Sequence, residues 1–243
     1  MASFFKEYKP YAQIGVASLA ALLIYLQRNR VRRGYNYAKD KFSQYIGSFA
    51  SEWIGVDEIG NNQAFGNTVF QSMLKNVGWK SSEQWCMYFA KAVHWEVFKT
   101  DRQAINKLLS GSSNGSFNAV KKDANGIYEA IESGPPKNGD IAIWQRTNAP
   151  GTGHAAIVVK VNNNGTMDTI EGNTGGKSIS DGDTVARKVR PSVIGQNIPG
   201  STLKLRGFIR KKLFTQQEKK NIGLIIAGAA GISFILYRAL RSK

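Results

Sequence analysis

The chain has 243 residues, with 33 Lys+Arg against 17 Asp+Glu and a formal net charge of +16. That composition excludes a disordered acidic tail and a collagen-like repeat, and the length suits one or two folded domains. A single Cys and two His exclude an intrachain disulfide framework and a Cys-rich zinc site, so reactive chemistry rests on very few side chains.

The charge is concentrated at the ends. Residues 1–33 hold six basic residues and one acid, residues 204–243 hold ten and one, and the stretch between is nearly balanced. These basic residues flank apolar runs, the pattern of bilayer anchoring rather than of a folded nucleic-acid-binding face, so no specific nucleic-acid partner is expected. Residues 11–26, YAQIGVASLAALLIYL, carry no charge and run into Arg28, Arg30, Arg32 and Arg33. At ~1.5 Å per residue they cover about 24 Å of a ~30 Å hydrocarbon core. Small residues lie inside this run rather than at its end, against a cleaved signal, and residues 1–33 are predicted to be an N-terminal membrane segment.

Residues 34–213 read as one α+β domain, helices first and antiparallel strands after. KFSQYIGSFASEWIGV and NTVFQSMLKNVGW have helical spacing of apolar residues. A stretch from Asp57 to Asn67 holds Asn and Gly with only two acids, too few for a calcium cage, and no metal or cofactor is expected. Ser81, Ser82, Glu83 and Gln84 spell a capping box ahead of a helix over residues 85–98, where Cys86, Ala90, Val93 and Val97 form a stripe able to face a sheet. Beyond the Gly/Ser-rich SGSSNGS and the turn-forming GPPKNGD, the period changes to two in DIAIWQ, HAAIVVKV, TMDTIEGN, TVARKVR and LKLRGFIR. Asn164-Gly165 is a hairpin signal between two of these strands, and no phosphate-binding glycine loop occurs.

The last apolar run, residues 222–237, reads IGLIIAGAAGISFILY between Lys219–Lys220 and Arg238, with Gly223, Ala227 and Gly231 at four-residue spacing. A small-residue ridge beside basic clusters predicts a C-terminal membrane segment over residues 214–243. With two such anchors, the partners expected are the lipid bilayer and other membrane or capsid proteins.

Cysteine attacks carbonyls as a thiolate, which the positive end of a helix and a neighbouring imidazole both favour. Cys86 has the helix-start position. His154 opens a strand after the turn-rich segment 148–153, where a side chain reaches a cleft, whereas His94 lies about two turns along the Cys86 helix and reads as a packing or surface residue. If the Asn164-Gly165 loop has an even number of residues, His154, Glu171 and Asn173 share one face of the sheet; an odd loop or a bulge would break this. A carboxylate or amide there can hold the imidazole's tautomer while its other nitrogen activates the sulfur.

With these residues in place the chain resembles the CHAP family, the cysteine, histidine-dependent amidohydrolase/peptidases, which are papain-like cell-wall hydrolases. The matching pieces are IGVDEIGNN, EQWCMYFAKAVHW around Cys86, NGDIAIWQ, GHAAIVVKV around His154, IEGNT around Glu171, and GFIR, in family order. The resemblance implies a papain-like domain with Cys86 as nucleophile, His154 as general base, Glu171 as orienting acid and Asn173 as a further polar member. Gln84 departs from the Pro or small residue common before the Trp-Cys pair. The implied activity is cleavage of a peptidoglycan amide bond, as amidase or endopeptidase. The rival expectation is a non-catalytic membrane scaffold whose basic ends hold lipid or nucleic acid. Eleven Lys and Arg flank the middle domain side of the two apolar runs and five the outer side, which places the domain on the cytoplasmic face. A cell-wall enzyme so placed would fit a lytic enzyme in the internal membrane of a bacteriophage virion, or else the bacterial inner membrane.

Overall fold

The computed structural model describes residues 42–175 and 182–212. Helix α1 occupies residues 42–51, followed by a short hairpin of β1 (Glu58–Ile59) and β2 (Ala64–Phe65). Helices α2 (Thr68–Asn76), α3 (Cys86–Val97), α4 (Arg102–Leu108) and α5 (Ser113–Lys122) precede strands β3 (Tyr128–Ile131), β4 (Ile141–Arg146), β5 (Gly153–Val161), β6 (Thr166–Thr174), β7 (Thr184–Pro191) and β8 (Leu203–Lys211). The last six form one antiparallel sheet in the order β3-β8-β4-β5-β6-β7.

Alternation along the strands divides the core into two. Ile141, Ile143, Ala155, Ile157, Ile170 and Ile209 belong to the cluster that contains the helical residues Phe70, Leu74, Phe89, Ala90 and Val93. Their neighbours Ala142, Trp144, Ala156, Val158, Met167 and Phe208 form a second cluster with Ile198, from the segment between β7 and β8. Because both faces are covered, β4 and β5 are apolar at successive positions, which is why AIW and AAIVV lack the polar half of the alternation. Helix α3 is buried along most of its length for the same reason, packing against β5 and β6.

Local signals decide some boundaries differently from the sequence expectation. The Ser81–Gln84 capping box does not form: α3 begins at Cys86 with Trp85 as its N-cap and no side-chain capping bond. Glu83 instead accepts from the Tyr88 hydroxyl at 2.7 Å, and Ser81 bonds the Gln63 carbonyl at 2.8 Å, so the segment is tied to the β1–β2 hairpin. The SGSSNGS stretch is not merely a break, since Ser112 accepts from Gly115 N at 3.0 Å and starts α5. Side-chain capping outweighs low helix propensity there, with Phe117 and Val120 buried beneath.

The fold class needs one correction, the flanking transmembrane helices. Among the described residues no helix is long and apolar enough to cross a membrane. Even α3, with 12 residues, spans about 18 Å where a crossing helix needs roughly 20 residues. The two segments expected to span, residues 1–33 and 214–243, lie outside the described residues. The expected membrane localisation, bacterial or virion, is corrected on the same finding.

The close approach of α3 to β6 depends on Gly172. A Cβ built there would lie 2.5 Å from the Trp85 ring and 2.8 Å from Phe89 Cβ. Trp85 is fully buried, and its indole donates to Glu58 Oε2 at 2.7 Å, so the ring cannot retreat freely. Gly172→Ala is expected to destabilise the domain by about 1–3 kcal/mol through overpacking, read as a lowered urea midpoint; an unchanged midpoint would contradict this packing.

Candidate active site

Cys86 is the first residue of α3, where backbone N–H groups have no partner within the helix and the helix dipole is positive. It is buried and unpaired in any disulfide. His154 is the second residue of β5 and fully buried, facing Trp144 across the β4–β5 ladder with ring centroids 5.9 Å apart. Its Nε2 lies 3.0 Å from Glu171 Oε2. Its Nδ1 has no hydrogen-bond partner among the described residues, and Cys86 acts on the same imidazole by favouring its charged form. Thiol, imidazole and carboxylate therefore occur in the order required for base-activated nucleophilic attack.

The register that brings His154 and Glu171 together has an unexpected origin. Next to the turn, Val161 pairs with Met167, so an odd number of residues separates the paired positions, which alone would put the two side chains on opposite faces. A bulge between Val158 and Lys160 shifts the pairing by one, and Ile157 then faces Ile170. Continuing that register sets Glu171 beside Ala156, with His154 diagonal to it on the same face. The loop and the bulge each depart from the expectation, and together they restore it.

Glu171 is fully buried and accepts hydrogen bonds from four donors. His154 Nε2 and Arg190 Nη2 (2.6 Å) meet Oε2, while Arg190 Nε (2.7 Å) and the Thr169 hydroxyl (2.6 Å) meet Oε1. Burial alone would raise its pKa, but the bonds from Arg190 and His154 and their positive charge hold it at about 2. Burial likewise disfavours the imidazolium of His154, yet Cys86 and Glu171, through hydrogen bonding and charge, push it up to about 9. Neither Thr169 nor Arg190 stands out in the sequence. The available signals were a threonine two residues before Glu171 on the same strand face, and an arginine on the next strand.

Asn173 sits differently. Its backbone is left-handed, with φ 55°, and the β6–β7 ladder shifts between Glu171 and Thr174. Its amide is buried, and among the described residues neither Nδ2 nor Oδ1 has a hydrogen-bond partner. The structure thus joins His154 to Glu171 by a hydrogen bond, with Cys86 acting on the same imidazole, and leaves the Asn173 side chain outside that pair. His94, expected to pack or lie at the surface, is buried, with Nδ1 2.9 Å from the Tyr128 hydroxyl.

Residues 76–173 match the family model of the CHAP domain, a span that contains Cys86, His154, Glu171 and Asn173. No curated protein matches the sequence. Among solved structures the chain is similar to Ly7917, at 14% identity and a TM-score of 0.43, over 70% of this chain and 62% of that one. It is also similar to the wild-type endolysin LysIME-EF1, at 17% identity and a TM-score of 0.40, over 68% of this chain and 62% of that one. The chain thus spans less than two thirds of the length of either protein.

The two shifted groups give stability a defined pH dependence. Glu171, lowered from 4.5 to about 2, contributes stability that is present above pH 4.5 and lost as pH falls through 2, on the order of 3 kcal/mol. His154, raised from 6.5 to about 9, contributes stability that is present below pH 6.5 and lost as pH rises through 9. Denaturant unfolding across pH is expected to show a maximum between these limits, with the acid loss much reduced in Glu171→Gln relative to that variant's own plateau. A Glu171→Gln profile parallel to the wild type at low pH would contradict the assignment.

Proposed function

We propose that residues 34–213 form a cysteine hydrolase that cleaves an amide bond of peptidoglycan, as amidase or endopeptidase. The observation that carries the reading is a fully buried imidazole with one nitrogen on a clamped carboxylate and a helix-start cysteine acting on the same ring. The match of residues 76–173 to the CHAP domain supports peptidoglycan as the substrate class.

In this reading Cys86 is the nucleophile. His154 takes its proton, and the thiolate adds to the scissile carbonyl carbon. Negative charge passes to the carbonyl oxygen, for which backbone N–H groups at the start of α3 are the natural donors. Collapse breaks the C–N bond, His154 delivers its proton to the leaving nitrogen, and an acyl-thioester remains. Water, deprotonated by His154, adds to the thioester and releases the acid and the thiol. Glu171 keeps Nε2 protonated and the ring oriented, so that Nδ1 is the nitrogen that exchanges protons with sulfur. Asn173 supplies a further polar group beside this centre, as the family resemblance implies. A non-catalytic scaffold would not require this proton path.

Incubation of the purified chain with peptidoglycan, with released ends identified by mass spectrometry, tests the reading and separates amidase from endopeptidase cleavage. Cys86→Ala and His154→Ala are expected to lose at least 1,000-fold in rate, in line with removal of a covalent or acid-base partner. Glu171→Gln is expected to lower kcat more than it raises KM. A folded wild-type chain that releases no ends, or undiminished cleavage by Cys86→Ala, would defeat the proposal.

A further inference from the structure

We propose that Arg190 is a positioning residue for this site: its guanidinium fixes the plane of the Glu171 carboxylate so that Oε2 is presented to His154 Nε2. The inference rests on the hydrolase reading and extends it to a residue on another strand.

The geometry is a two-pronged fork. Nε and Nη2 of Arg190 donate to different oxygens of Glu171, at 2.7 and 2.6 Å, and a planar guanidinium aligned in this way sets the plane of the carboxylate. The Thr169 hydroxyl touches only Oε1, so by itself it would leave the carboxylate free to turn about its Cγ–Cδ bond. Rotation would carry Oε2 away from Nε2 and release the ring.

A simple tie between neighbouring strands does not account for the contact. Strands β6 and β7 are already joined by a continuous ladder from Thr166↔Pro191 to Glu171↔Ala186. Within it Arg190 faces Met167 and Ala186 faces Glu171. The two backbone positions are therefore offset by four residues along the sheet, about 13 Å at ~3.3 Å per residue, and the Arg190 and Glu171 side chains both extend along it to meet. The Arg190 side chain is only 9% exposed and Glu171 is not exposed at all. A long cationic side chain is thus laid inside the protein, at the cost of dehydration, to end on the group that holds His154.

Charge accounting agrees. The charged groups acting on Glu171 are Arg190 of β7 and His154 of β5, and those acting on His154 are Cys86 of α3 and Glu171 of β6. Arg190 balances Glu171, and a thiolate and imidazolium formed from Cys86 and His154 balance each other. Removal of the arginine leaves one buried negative charge in excess and raises the apparent pKa of every proton-binding step around it.

Cys86 is the only cysteine in the chain, so alkylation by iodoacetamide reports on this site alone and needs no substrate. In Arg190→Met the acid limb of the alkylation rate is expected to move up by about one pH unit, with a roughly tenfold slower reaction on that limb. Arg190→Lys, which keeps the charge and loses the fork, is expected to leave the limb in place while lowering kcat on peptidoglycan at least fivefold with KM unchanged. A lowered melting temperature with wild-type alkylation profile in Arg190→Met would overturn the proposal, as would wild-type kcat in Arg190→Lys. Should Arg190→Met fail to fold, the lysine variant decides alone. A wild-type chain in which Cys86 reacts no faster than a free thiol near neutral pH would instead defeat the hydrolase reading itself.

Discussion

A buried carboxylate imposes the strictest demand in this molecule. Glu171 has no exposed surface, and an ionised carboxylate without partners would be excluded from such a place by several kcal/mol. Its four donors come from three adjacent strands: His154 from β5, Thr169 from β6 and Arg190 from β7. Each strand must keep its register for the carboxylate to remain satisfied, so the sheet is held to one arrangement at the site. Helix α3 is then fitted onto this frame through Trp85 and Phe89, which lie against Gly172 in the residue following Glu171.

The division of labour between helix and sheet follows from their chemistry. A helix start provides N–H groups and a positive potential for a thiolate and an oxyanion. A sheet interior provides fixed spacing between side chains on neighbouring strands, which suits an imidazole that must stay in one tautomer. The indole of Trp85 connects the two layers, its N–H bonded to Glu58 in the β1–β2 hairpin and its ring against Gly172 of β6. The IGVDEIGNN stretch thereby supports the start of the cysteine's helix through Glu58.

Much of this could be read from residue order. The strands announced themselves by period-two apolar runs, and Cys86 by its place before a long apolar helix. His154 and Glu171 were expected on one face from an even loop, and share it instead because an odd loop and a bulge offset each other. Arg190 escaped because TVARKVR looks like an exposed alternating strand, and the register between β6 and β7 depends on pairing that no short turn motif fixes. Thr169 escaped because threonine is common in strands for reasons unrelated to any site. Helices α4 and α5 are polar and short, and their burial of Ile105 and Phe117 becomes visible only when the chain is folded. Asn173 was placed on the right strand, but its left-handed backbone breaks the alternation on which the face assignment relied.

The odd loop between β5 and β6 and the bulge at Val158–Lys160 have a consequence for how this hairpin can vary through evolution. Either irregularity alone would separate His154 from Glu171; together they act as matched insertions on one strand pair. A single-residue gain or loss in the loop is therefore tolerable only with a compensating change in the bulge, whereas changes of two residues leave the relation intact. Length variants of this hairpin should accordingly accumulate in steps of two or as coupled pairs, and a lone one-residue indel should mark a copy whose site no longer assembles.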